Sequence, residues 1–500
     1  MTRDRLQFKL GGRYFKFYGA IALVGALVWA CGPAPDRAYS EAISCLKALA
    51  SDSSRPDVQG DAVLALGRLK EPSSLAQLKA GFQSGQEDVA FKSAQALGEL
   101  GGAEAAAALR EALADARNPF VRAQIVVCLH RLGDDSAIPQ LEAALADSTD
   151  PLRRASAASA LGKVGRVSAT PQLIRILETD RDFVPRSSAG VALGLLKDAS
   201  AAPVLAKVLR EDPEEVVRIA AAESLARFRS PSAVSVLEEA FIHQTNYQLR
   251  RTLISGLAEA GGGEAIFPAL RAMFARTGNT AERSLAAEAL GRLGDRGAIP
   301  LLKSVLQADT DDVVKLAAGE ALGRLGEAPA MLATVHGTLV SHSNGSFQRR
   351  AAEILAEYPD RPALNTFKRL LAWGENPEIR ALSARGIGQN GDRSGLVPLE
   401  KALENDQDQN VRLAAVGALG DMPQGDARGI LSRALAGKNQ TADIRAAAAR
   451  ALRLRNDPDA LRPLFKALGD ADARVRLEAA LGVIQVTKGI NLEQTMKSER

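Results

Sequence analysis

One template recurs through almost the whole chain, and it leaves room for little except a fold built by stacking. The stretches "NPFVRAQIVVCLHRLGDDSAIPQLEAALADS" from 118, "DDVVKLAAGEALGRLGEAPAMLATVHGTLV" from 311, "NPEIRALSARGIGQNGDRSGLVPLEKALEND" from 376 and "DQNVRLAAVGALGDMPQGDARGILSRALAG" from 408 share it. The residue eight before the leucine of each "ALG" element serves as an anchor. Anchors stand at Val58, Val89, Val121, Arg153, Pro185, Val217, Leu249, Glu282, Val314, Phe347, Ile379, Val411, Ile444 and Val475, always 31 to 33 residues apart. A unit this short cannot bury an apolar side alone, so neighbours must stack and the core must run along the chain.

Each unit reads as two helices. The first is short, as in 137–146 with apolar Ile138, Leu141 and Leu145. The second starts near the anchor and is apolar at i, i+4, i+8 and i+11, as in Val121, Ile125, Leu129 and Leu132, which is one face of a helix. Asp, Asn, Gly and Pro collect between them, and no stretch alternates as a strand should. The pattern predicts an all-α chain.

The V-R-x-x-A-A-x-A-L-G elements, such as "VRLAAVGALG" at 411–420, resemble the HEAT-repeat superfamily, in particular the short HEAT-like repeats of E/Z-type phycobilin lyases. The resemblance covers about residues 38–487. It implies a right-handed superhelical α solenoid of about 14 helix pairs whose second helices line a concave face.

A base follows most anchors: Arg122, Arg154, Arg186, Arg218, Arg250, Arg283, Arg380, Arg412, Arg445 and Arg476, with Lys315 in the same place. Six residues before several of them stands an acid, Asp180, Asp212, Asp309, Asp406 or Asp470. The resemblance implies a structural ladder, each pair tying a turn to its second helix and to the next unit, rather than a row of phosphate ligands. Recurring glycines such as Gly162, Gly291 and Gly323 would let helices approach closely.

A further stripe, six residues past the anchor, carries Glu223, Ser255, Glu288, Glu320 and Glu353, then Arg385, Gly417 and Arg450. Glu223, Glu288 and Glu320 each precede an arginine by four, the spacing of a helix ion pair. Glu353, Arg385 and Arg450 lack such a partner and are the better candidates for an interaction surface. The irregular unit "ATVHGTLVSHSNGSFQRRAAE", 333–353, adds His336, His342, Asn344, Arg349 and Arg350, either as a binding loop or as a tolerated insertion.

Catalytic motifs are missing from the sequence. None of the four histidines is followed by Glu, unlike the repeated His-Glu pairs of the HEAT-like dimetal hydroxylase, and HExxH, CxxC, G-x-S-x-G and P-loop patterns do not occur. Cys45 and Cys128 read as small packing residues. The reading is therefore of a protein-binding scaffold with no cofactor, metal or small-molecule substrate; a lyase-type enzyme and a structural spacer without a specific partner are the alternatives.

The N-terminus suggests where such a scaffold works. Residues 1–16 hold five bases and one acid, Tyr18 to Ala30 is free of charge, and Val28-Trp29-Ala30-Cys31 resembles a bacterial lipobox, with Trp29 where a small residue is usual. Thirteen residues suit a signal peptide and fall short of the ~20 that span a bilayer as a helix. The expected organisation is a signal peptide over 1–30, lipidation at Cys31, a tether over 31–37, the solenoid over 38–487 and a polar tail or cap over 488–500. An uncleaved anchor and a conventional signal peptide are the other readings. Gly32 after the cysteine, in place of Asp, points to the outer membrane, periplasmic side. Without residues 1–30 the chain has 58 bases and 58 acids, a balance that argues against nucleic acid as partner.

Overall fold

The computed structural model describes residues 34–488, apart from 148, 277, 342–344, 359 and 424. Among the described residues there are 28 α-helices, with short 3-10 turns between them and no strand. They alternate as a first (A) and a second (B) helix through fourteen repeats, and all fourteen anchors fall inside B helices.

Local chemistry sets where each B helix begins. Asn118 accepts hydrogen bonds from the N–H groups of Phe120 (2.8 Å) and Val121 (3.2 Å), and Pro119 opens the helix Pro119–Arg131. Asp150, Asp182, Asp311 and Asp408 cap later B helices in the same way, satisfying N–H groups that have no partner within the helix. Half of the A helices follow a single 3-10 turn, as Val167–Ala169 leads into Thr170–Thr179.

Packing then follows the apolar spacing. Within each unit, A helices from Leu75–Ala80 onward lie on their own B helices, and B helices such as Pro151–Lys163 and Phe183–Leu196 lie side by side. The seam between B helices is built from small residues: in Pro151–Lys163, Ala155, Ala157, Ala158 and Ala160 are buried. At its end a Cβ on Gly162 would stand 2.7 Å from the Cα of Ala192 in the next B helix. Any side chain there would push the helices apart. In the irregular repeat the facing element is the Tyr358 ring, whose Cζ would lie 2.5 Å from a Cβ on Gly323.

The chain divides into two compact units. One is Gln59–Asn390, a continuous run of repeats. The other joins the described residues before Gln59 to those after Asn390. In this second unit the first described helix, Pro35–Ala50, packs against the last described one, Ala473–Lys488. Its buried residues Ala38, Ala42, Leu46 and Leu49 have the spacing of a B helix. The Lys488 ammonium stands 4.0 Å from the centroid of the Tyr39 ring.

Ala473–Lys488 thus lies between Ala442–Arg455 and Pro35–Ala50. Pro35–Ala50 thereby covers a face of Ala473–Lys488 as a neighbouring B helix would. The helix begins at Pro35, with Ala34 as its N-cap, so three residues assigned to the tether are helical. Residues 489–500 lie outside the described residues.

Candidate interaction surface

The arginine ladder shows how the repeats are tied together. Arg154 donates from Nε and Nη2 to both oxygens of Asp180, 26 residues later in the next turn (2.6 and 3.0 Å). Arg186 holds Asp212 in the same way (2.9 and 3.0 Å) and also donates to the Asp180 carbonyl at 2.9 Å. Arg445 binds Asp470 through two bonds of 2.8 Å, and Arg283 pairs with Asp309. Arg186, Arg283 and Arg445 reach forward to a carboxylate and also back to a carbonyl of their own repeat. Each aspartate also accepts from the N–H two residues on, as Asp470 does from Asp472 at 2.9 Å.

At Asp180, Asp309 and Asp470 these contacts depress the carboxyl pKa. The guanidinium bond from Arg283 lowers that of Asp309, and the bond from Arg445 lowers that of Asp470. Burial of Asp180 works against ionisation, yet Arg154 and the Asp182 N–H together hold its pKa below the ordinary carboxylate value.

Other ladder arginines also serve the backbone. Arg218 donates to the carbonyls of Asp212 (2.6 Å) and Pro213 (3.0 Å), and Arg122 to those of Leu113 and Ala116. Arg380, Arg412 and Arg476 each bond the carbonyl six residues back, which for Arg412 is Asp406. Arg250 bonds the Gln244 carbonyl and lies over the Phe241 ring, 5.7 Å from its centroid. A rung such as Arg186 thus joins neighbouring repeats through the carboxylate and its own repeat through a carbonyl.

Several surface candidates are engaged within the fold. His336 lies on the helix Ala328–Ser341, and its Nε2 is 2.6 Å from the Thr366 hydroxyl on the next A helix. Arg350 bridges Glu320 and Glu353, and Glu320, only 6% exposed, also binds Arg324 at 2.7 Å. Arg349 stands 3.5 Å from Glu378. Arg385 and Arg450 are exposed and make no ion pair among the described residues. Cys31, His342 and Asn344 lie outside the described residues.

Glu288 pairs with Arg292 at 3.4 Å, and Arg292 also bonds the Ser255 hydroxyl. Glu223 and Arg227, at the same helical spacing, instead line an open polar cleft of about 440 Å³ with Ser255 and Glu259. Cys45 and Cys128 are free thiols whose pKa values burial raises.

Larger grooves open between consecutive A helices. One, about 580 Å³, has Phe82, Ala108 and Ala112 on its walls and Glu87, Glu111, Asp115, Lys79 and Arg117 around them. Another, about 700 Å³, lies between Asp426–Ala436 and Leu461–Ala467. Among the described residues no group of three or more His, Cys, Asp or Glu could hold a metal ion.

A family model described as HEAT repeats matches residues 82–162, 170–258, 239–323, 333–420 and 367–442. The chain belongs to the HEAT-repeat family. A curated relative, an uncharacterized protein in the gldA 3' region of Geobacillus stearothermophilus, is 46% identical over 65 residues, which span 13% of this chain and 30% of that protein. Solved HEAT-like structures include an importin beta (13% identity, 97% of this chain and 76% of that one, TM-score 0.45). The CpcE–CpcF phycocyanin lyase complex from Nostoc sp. matches at 21% identity over 55% of this chain and 91% of that one, and human deoxyhypusine hydroxylase at 19% over 59% and 99%, each with a TM-score of 0.25. Likeness at this level concerns the fold alone.

Proposed function

We propose that this HEAT-repeat chain is a lipid-anchored scaffold that binds other proteins in the bacterial cell envelope, held at Cys31 on the periplasmic side of the outer membrane. The observation that carries the scaffold reading is the way its recurring polar residues are used. The ladder arginines and aspartates are bonded to one another and to backbone, which leaves a preformed array whose exposed grooves and unpaired charges vary from repeat to repeat. Such a surface binds without ordering itself first, so the entropic cost of association is small. For the anchor, the support is the sequence alone: the basic segment, the uncharged stretch and "VWAC" at 28–31. One acyl chain holds a protein only marginally, whereas several hold it firmly.

Metabolic palmitate labelling of the wild type beside Cys31→Ser, with fractionation of both, tests the anchor. Label that disappears in the variant supports it; an unlabelled, freely soluble wild type overturns it. Photo-crosslinking in intact cells tests the scaffold, which requires discrete protein adducts rather than a background of abundant neighbours.

A further inference from the structure

Most charged side chains of the ladder and its surroundings are paired, which makes an unpaired cluster informative. The groove between Asp426–Ala436 and Leu461–Ala467 has such a cluster. Lys438, Arg462 and Lys466 stand on its rim, all three exposed, and none forms an ion pair among the described residues. Arg462 and Lys466 are four apart on one helix and share a face.

The acids that could neutralise them are occupied. Asp459, three before Arg462, is bonded to Arg428 at 2.6 Å. Asp470, four after Lys466, is held by Arg445 through its two 2.8 Å bonds. The rim therefore keeps three uncompensated positive charges. Between them Leu435, Pro463 and Ala467 supply an apolar lining. The comparable groove at the second and third repeats carries Glu87, Glu111 and Asp115 against Lys79 and Arg117, with Lys79 bonded to Glu111 at 2.7 Å. The two grooves thus differ in charge although their repeats share one template.

We propose that the groove between Asp426–Ala436 and Leu461–Ala467 is a docking site for an acidic protein segment with interspersed apolar side chains. Its carboxylates meet Lys438, Arg462 and Lys466 while its apolar groups enter between the helices. A flat anionic membrane could meet the cations but not the recessed Leu435, which is 4% exposed. This assignment rests on the scaffold reading and names the chemistry of one partner.

The test is fluorescence polarisation of a twelve-residue peptide alternating Glu and Leu, titrated with the full chain in detergent, beside the same peptide with Lys for Glu. The acidic peptide should bind, more weakly as salt rises, and Arg462→Glu/Lys466→Glu should weaken it by about tenfold or more. Arg462→Gln/Lys466→Gln, which removes charge without reversing it, should give a smaller loss in the same direction. Equal binding by wild type and both variants, or no binding of the acidic peptide beside capture of vesicles containing phosphatidylserine, overturns the proposal. Crosslinked partners that persist unchanged in the charge-reversed protein would remove this groove and leave the scaffold intact; a wild type without discrete partners would remove the scaffold itself.

Discussion

Arg186 and Asp212 sit in adjacent repeats, yet their side chains meet through two parallel hydrogen bonds of 2.9 and 3.0 Å with only 10% and 7% of each exposed. Arg186→Ala would leave the Asp212 carboxylate with little water and no cation. Breaking a buried pair from one side costs about 3 kcal/mol or more. Urea unfolding should show that loss, whereas the double variant Arg186→Met/Asp212→Leu, which removes both charges, should recover most of it.

Acid should loosen the ladder in a defined window. Asp309 and Asp470 have pKa values lowered in the folded chain, against about 3.9 when unfolded. The unfolded chain therefore takes up protons first as pH falls. The stabilisation is complete above that unfolded value and is lost as pH drops through the folded one. Urea midpoints should hold steady from pH 7 to about 5 and fall below about pH 4, and Asp470→Asn should show a shallower fall.

The close approach at Gly291 can be tested by filling it. A Cβ there would lie 2.7 Å from the Cα of Ala321, an atom that cannot rotate away. Gly291→Val should lower stability by about 1–3 kcal/mol, read as a drop in thermal midpoint. Gly417, with nothing within 4 Å of a Cβ, should accept Ala without loss.

The contact between the chain ends predicts an effect at a distance in sequence. Leu46 is fully buried in Pro35–Ala50, and its replacement by Ala should cost about 2–5 kcal/mol locally. Hydrogen exchange should then speed up in Ala473–Lys488 and leave the B helix Glu215–Phe228 unchanged.

Much of this architecture is legible in the sequence because stacking repeats a local pattern. The anchors from Val58 to Val475 all fall in B helices, since one apolar spacing serves every unit. Asn118 and Asp150 mark helix starts by their own side-chain bonds. The irregular repeat is harder to read: its added length went partly into the helix Ala328–Ser341, 14 residues where Thr170–Thr179 has ten, so His336 is on a helix and not in a loop. Periodicity cannot distinguish a longer helix from a longer turn. Nor does it reveal the cationic groove, because Arg462 and Lys466 have Asp459 and Asp470 at pairing distance in sequence. Only the bonds of those acids to Arg428 and Arg445 leave the bases unpaired.

The packing of Pro35–Ala50 on Ala473–Lys488 also sets an order of events in synthesis. Repeats can fold on their neighbours as they leave the ribosome or a translocation channel, each needing only the one before it. Pro35–Ala50 cannot, because its partner Ala473–Lys488 is made much later. Joining the two closes a loop of nearly the whole chain, at an entropic cost that grows only slowly with length. Until that moment the apolar face of Leu46 and Leu49 is open to chaperones, and a chain truncated before residue 473 keeps it open permanently. The arrival of Ala473–Lys488 is thereby registered far upstream, at Pro35–Ala50.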